Sequence, residues 1–315
     1  MERDPSLEDV LAAAERIRGY VHRTPVLSSS AIDGIAGASL VFKCENLQKV
    51  GAFKARGAAN AVLALDDEAA ARGVATHSSG NHAAALALAA RTRGIAAHIV
   101  MPRTAPPVKR AAVEGYGACI TTCEPTLEAR EAALAGVVAA TGATFVHPYD
   151  DPLVIAGQGT AVLELLTDVP ELEAVMGPVG GGGLMSGTAI AAAGSRPEVV
   201  VWGAEPTTAD DAYRSLRDGR RHPPLAPSSI ADGLLTALSD RTFRILNGRL
   251  EGILTVSEEG IVRAMRLLWE RMKLVVEPSG AVPLAAVLEH PQRFAGRRVG
   301  LIISGGNADL DHLPW

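Results

Sequence analysis

Gly51-Ala52-Phe53-Lys54-Ala55-Arg56-Gly57-Ala58 carries the chain from a β-rich run into a helix and holds the lysine best placed to act as a chemical group. The chain has five lysines against twenty-five arginines, so its cationic surface is mostly arginine, and Lys54 stands between Phe53 and a run of small residues. Apolar company disfavours the ammonium form of a lysine. A neutral amine can condense with a carbonyl. The same lysine could instead snorkel into solvent from the start of a helix. Residues 40–44 (Leu-Val-Phe-Lys-Cys) are expected to form the preceding strand and the helix to begin near Arg56. Lys54 then lies at a strand-to-helix junction, where catalytic groups are commonly exposed.

Outward from this junction, short β-rich runs alternate with Ala-rich helical runs. The pattern predicts strands at 73–76, 97–101, 119–122 and 144–147, with helices at 83–91, 108–114 and 127–141 between them. A second series of strands is expected at 174–179, 199–204 and 299–303. Such alternation builds βαβ units and parallel sheets, which makes the fold class α/β. The composition agrees: 48% hydrophobic but 4% aromatic residues suit helices covering parallel strands more than a β-sandwich. An amphipathic helix should open the chain over 6–19, started by a capping box of Ser6 and Asp9. The polar, Pro-rich stretch 217–227 predicts an exposed loop. At 315 residues the chain is long enough for two packed lobes.

A net charge of −5 with no dense Lys/Arg block leaves no electrostatic footprint for nucleic acid or an anionic membrane. The first residues are charged, and no stretch of about 18 apolar residues occurs, so a cytoplasmic location is expected. Cys44, Cys119 and Cys123 lack the second ligand pair of a zinc site and are expected to be free thiols.

Three further stretches follow β-rich runs. Gly180-Gly181-Gly182-Gly183-Leu184 joins an apolar strand to an Ala-rich helix, where converging backbone N–H groups and the helix dipole would cradle an oxyanion. Neither the P-loop nor the dinucleotide fingerprint fits it, since no Lys-Ser/Thr follows and Met185 occupies the third glycine's place. His77-Ser78-Ser79-Gly80-Asn81-His82 opens a helix with polar groups suited to a carboxylate, although Ser and Asn also serve as plain helix caps. Ser304, in Ile302-Ile303-Ser304-Gly305-Gly306-Asn307, could bond a ring nitrogen or simply sit in a turn.

In their order and spacing these four motifs resemble the fold type II pyridoxal-phosphate enzymes, and within them the serine/threonine dehydratase and serine racemase family, over essentially the whole chain. The resemblance implies two open, mostly parallel sheets flanked by helices, as in a tryptophan-synthase-β-like fold. A large cofactor-binding domain would comprise 1–69 and 148–315, and a small domain 70–147. It implies pyridoxal 5'-phosphate on Lys54 as a Schiff base, with Phe53 packed on the ring and Asn81 on the ring hydroxyl. Gly180, Gly181, Gly182, Gly183 and Leu184 would hold the phosphate and Ser304 the ring nitrogen. A neutral hydroxyl at Ser304 makes the ring a weaker electron sink, which favours prompt β-elimination. Ser79 would face the ring from the side opposite Lys54, and Ser78 and His82 would meet the substrate. Arg130 would reach the substrate's side chain, where its fork could grip a second carboxylate. Glu205, the Ala209 carbonyl and Asp211 resemble the family's site for Mg²⁺ or Ca²⁺.

The activity implied is L-threonine/L-serine dehydration to a 2-oxo acid and ammonia by a homodimer, with serine racemase or 3-hydroxyaspartate dehydratase as alternatives. Tyr149 is closer to the aromatic of dehydratases than to the asparagine of mammalian-type serine racemases, whereas Ser79 keeps racemisation open. A non-catalytic amino-acid-binding protein is the rival from another class, and intact Lys54, Ser79 and Ser304 argue against it.

Overall fold

The computed structural model describes residues 3–315. Its strands are β1 (Val26–Ser28), β2 (Ser39–Cys44), β3 (Val74–His77), β4 (Ala97–Pro102), β5 (Cys119–Cys123), β6 (Thr144–Phe145), β7 (Ala174–Pro178), β8 (Val200–Pro206), β9 (Gly252–Val256) and β10 (Arg298–Ile303). They form a six-stranded sheet in the order β1-β2-β10-β7-β8-β9 and a four-stranded sheet in the order β5-β4-β3-β6. All pairings are parallel except that of the edge strand β1 with β2. The chain is therefore α/β with two open, mostly parallel sheets.

The helices are α1 (Leu7–Arg16), α2 (Ser30–Ala36), α3 (Lys54–Leu63), α4 (Asp67–Arg72), α5 (Asn81–Arg93), α6 (Pro107–Gly115), α7 (Leu127–Thr141), α8 (Pro152–Asp168), α9 (Gly183–Ser195), α10 (Asp211–Asp218), α11 (Asp240–Leu246), α12 (Glu258–Leu267) and α13 (Pro278–Glu289). Successive residues of a strand point to opposite faces, so each sheet feeds two cores. On the large sheet Leu301 packs with Phe42, Trp202 and Leu284 on one side, while its neighbour Ile302 packs with Val175, Leu165 and Met185 on the other.

The expected alternation is present, with differences at the ends. The sequence pattern does not anticipate β1 or β9, and β1 is three residues long and mostly exposed, too short to show a period. β6 stops at Phe145 because His147 Nδ1 accepts the Tyr149 and Asp150 N–H groups (3.3 and 2.9 Å), which curls the chain away before Pro148. The loop expected from 217 starts after Gly219, whose left-handed conformation caps α10.

Helix α8 is the central helix of the fold. Asp151 caps it by accepting from Leu153 and Val154 N–H (2.8 and 3.1 Å), and Pro152 supplies a preset first turn. On one side a Cβ at Gly157 would lie 2.6 Å from Gly57 Cα of α3, and on the other a Cβ at Gly159 would lie 2.7 Å from the Gly187 carbonyl of α9. Both neighbours approach α8 backbone to backbone. A side chain at these crossings would push the helices apart, a change of the kind that destabilises by about 1–3 kcal/mol. We expect Gly187→Ala, which would clash with the Ile155 carbonyl, to lose stability of that order in urea unfolding. Gly34→Ala on α2, whose Cβ would meet nothing within 4 Å, should be neutral or gain up to about 1 kcal/mol.

Candidate active site

Each motif singled out in the sequence leaves the carboxyl end of a parallel strand, the side on which open α/β sheets bind ligands. Lys54 begins α3 and its Nζ donates to the Pro148 carbonyl at 2.6 Å. The residue keeps some solvent contact, yet burial of the amine brings its pKa down from 10.5 to about 8. The Phe53 ring lies under it, with Nζ 5.2 Å from the centroid. Tyr149, the next residue after Pro148, packs on the glycine turn: a Cβ at Gly181 would fall 2.5 Å from its ring, and one at Gly183 would fall 2.9 Å from its Cβ. Two residues adjacent in the chain, Pro148 and Tyr149, thus touch the amine and the glycine turn respectively.

The turn has the geometry of an anion cradle. Gly182 adopts a left-handed conformation (φ 86°) as the N-cap of α9. The first intrahelical bond that enters α9 from it runs from Ser186 N–H to the Gly182 carbonyl (2.8 Å). The N–H groups of Gly183, Leu184 and Met185 precede that bond and have no carbonyl of their own helix to meet. Only glycine leaves room for the Tyr149 ring at position 181.

Ser304 follows β10, is buried, and its carbonyl accepts from Phe53 N–H at 3.0 Å. That bond and the Ala52–Gly305 bridge zip the serine segment to the lysine segment. Asn81, the first residue of α5, donates to both oxygens of Glu277 (3.0 and 3.3 Å) and accepts from Asn307 Nδ2 (2.9 Å). The sequence alone gives Glu277 no role. Burial raises its pKa to about 7, against the opposing pull of Asn81. Ser78 donates its N–H to the Val100 carbonyl (3.1 Å), and its Oγ accepts from Gly80 N–H (3.3 Å), so the Ser78–Ser79–Gly80 turn is anchored on β4. His82 is buried with Nε2 3.2 Å from the Val146 carbonyl, and burial keeps it neutral. Its Nδ1 has no partner. Arg130 bonds the Thr126 carbonyl of its own helix (3.3 Å), and its charge is felt at His77.

Glu205 lies inside β8 and accepts from Ala212 and Tyr213 N–H (3.2 and 2.6 Å) at the start of α10. Asp211 Oδ2 is buried without a partner. Burial raises both carboxyls, Asp211 to about 6, and the charge of Asp211 adds to the effect on Glu205. Among the described residues no three His, Cys, Asp or Glu side chains converge on one point.

Two residues past Lys54, Arg56 is fully buried between two carboxylates. Its Nε and Nη2 donate to Glu45 (2.8 Å each), and its Nη1 and Nη2 donate to Glu164 (2.8 Å each). Lys43, also buried, completes the balance of charge with Glu164 at 2.6 Å.

A profile of the pyridoxal-phosphate dependent enzymes matches residues 17–305. The chain belongs to that family. It is 53% identical over 311 residues to the β-hydroxyaspartate dehydratase of Paracoccus denitrificans (strain Pd 1222), covering 99% of each chain. Serine racemase from Dictyostelium discoideum superposes with a TM-score of 0.94 at 49% identity, over 97% of this chain and 99% of that one. The T.th. threonine deaminase gives 0.91 at 48%, over 97% and 99%. The residues fit the cofactor: the structure offers an easily neutralised amine and a turn of free backbone donors whose glycine at 181 is required by the Tyr149 ring packed on it.

The acid–base behaviour of Glu277 is open to test. Its folded pKa of about 7 exceeds the ordinary 4.5, so its proton binds more tightly in the folded state. The stability it lends is present below about pH 4.5 and lost as pH rises towards 7. Glu277→Gln should flatten the stability–pH profile in that window. Arg56→Met, which leaves the buried Glu45 without a cation and Glu164 with Lys43 alone, should cost about 3–5 kcal/mol in equilibrium unfolding.

Proposed function

We propose that this enzyme is an ammonia-lyase that eliminates water from a β-hydroxy-α-amino acid, with 3-hydroxyaspartate as its preferred substrate. The observation that carries the reading is the Lys54 amine, lowered by burial to a pKa of about 8 and held by Pro148, whose neighbour Tyr149 packs on the glycine turn. Pyridoxal phosphate, when bound, supplies an aldehyde that captures amines and a ring that withdraws electrons from the substrate's α-carbon. Lys54 would hold it, the backbone of Gly180 to Leu184 would take the phosphate, Ser304 the ring nitrogen and Asn81 the ring hydroxyl. The Lys54 amine, when free, would serve as the general base for the substrate's α-proton, a role its lowered pKa suits near neutral pH.

Support for a dicarboxylate comes from the similarity to the β-hydroxyaspartate dehydratase and from Arg130, whose charge reaches the His77 side of the site. Racemisation is the second reading, favoured by Ser79 on the anchored turn and by the similarity to serine racemases. A divalent cation between Glu205, the Ala209 carbonyl and Asp211 belongs to the same proposal. The buried, partnerless Asp211 Oδ2 and the raised pKa of both carboxyls are what such an ion would relieve.

Purified protein supplied with pyridoxal phosphate should absorb in the visible, and Lys54→Ala should lose that band and at least about 100-fold in turnover. Parallel assays with L-serine, L-threonine and both 3-hydroxyaspartate diastereomers should give the largest kcat/KM for one of the last two. A higher value for L-threonine would replace the substrate assignment, and inactivity towards all four would remove the lyase reading. Mg²⁺ should raise the Tm of chelator-treated protein, and Asp211→Asn should abolish the rise.

A further inference from the structure

The run His147-Pro148-Tyr149-Asp150-Asp151 touches more of the site than any motif named from the sequence. Its Pro148 carbonyl holds Lys54, its Tyr149 ring lies on the glycine turn, and Asp151 caps α8. Asp150 is fixed by Arg241 of α11, which donates to its carbonyl (3.1 Å) and its carboxylate (3.2 Å). His147 begins the run, and the chain dictates its tautomer. Nδ1 accepts two backbone N–H groups, from Tyr149 (3.3 Å) and Asp150 (2.9 Å), so the proton of the neutral ring resides on Nε2. Burial lowers its pKa to about 4; the charges of Lys54 and Arg241 and the neighbouring His77 push the same way, while Asp150 opposes them. The ring is therefore neutral at physiological pH.

Three aromatic rings pin its plane. Tyr149 meets it edge-on at 4.6 Å, Phe145 at 5.6 Å and His77 at 6.3 Å between centroids. The Nε2–H has no acceptor among the described residues. It is a preset donor on the residue just before Pro148, whose carbonyl holds the Lys54 amine, and His77 beside it lies within reach of the Arg130 charge.

We propose that His147 is a specificity residue, whose Nε2–H donates to the β-carboxylate of the substrate. The inference rests on the lyase reading above and names what selects the dicarboxylate within it. Arg130 would supply the charge, and His147 the fixed direction. A neutral donor suits this place because a second full cation beside Lys54 would further disfavour the ammonium form of that lysine.

Two substitutions separate the two nitrogens. In His147→Asn the amide oxygen stands where Nδ1 was and can still accept from the loop, but nothing reaches the Nε2 position. In His147→Gln the terminal amide donates from about the Nε2 position while the Nδ1 acceptor is lost. With the holoenzyme, His147→Asn should lower the ratio of kcat/KM for 3-hydroxyaspartate to that for L-serine by about 10- to 100-fold, the size of one hydrogen bond to a charged group. It should weaken binding of succinate, the same four-carbon skeleton without amine or hydroxyl, by a similar factor in calorimetry. His147→Gln should restore part of both. Equal losses on the two substrates, or unchanged succinate affinity in His147→Asn, would overturn the assignment and leave His147 as a loop anchor. If the wild-type enzyme itself turns over L-serine but neither 3-hydroxyaspartate diastereomer, the substrate reading fails along with it, and failure on every amino acid points instead at the lyase reading.

Discussion

Backbone contact across α8 fixes the distance on which the chemistry depends. Lys54 starts α3 and the glycine cradle starts α9, and both helices lie directly on α8 through glycine pairs, Gly57 with Gly157 and Gly187 with Gly159. With no side chain between them, the three helices cannot slide or separate without opening a void, and packed interiors resist such changes. The amine and the anion cradle are held by one buried helix and not by flexible loops. The N-cap Asp151 then ties the loop that lies between amine and cradle to the first turn of that helix.

Electrostatics divide the neighbourhood into a charge-compensated part and an uncompensated part. Arg56 is buried with two carboxylates forked onto it and a second cation on Glu164, so its charge is fully compensated two residues from the site. Lys54 meets a carbonyl and no carboxylate among the described residues, which leaves burial free to lower its pKa. Two neighbouring basic side chains in one helix turn thus shift in opposite directions, Lys54 losing its proton more readily and Arg56 holding it more firmly. The difference lies in partners, two carboxylates for Arg56 and a carbonyl for Lys54.

Much of the candidate site is legible in the order of residues alone. Lys54, the four glycines, Asn81 and Ser304 each close a strand-to-helix connection or a strand end, and a parallel sheet aligns all such ends on one side. Glu277 and His147 escape a role at that level for a physical reason. Nothing in a sequence marks a glutamate as buried or a histidine as having its Nδ1 filled by backbone N–H groups two and three residues on; both properties come from contacts with distant or sharply turned backbone. The strand expected to run through His147 ends at Phe145 for the same cause.

The sequence by itself determined the alternation of strand and helix, the positions of the loops that bear chemistry, and the small residues that let helices touch, because periodicity and residue size are local properties. Tertiary structure alone decided which of those loops meet. It set Pro148 against Lys54 and Tyr149 against Gly181, although 94 residues of chain separate the first pair, since that proximity is produced by two sheets folding around one shared helix and leaves no trace in the spacing of residues.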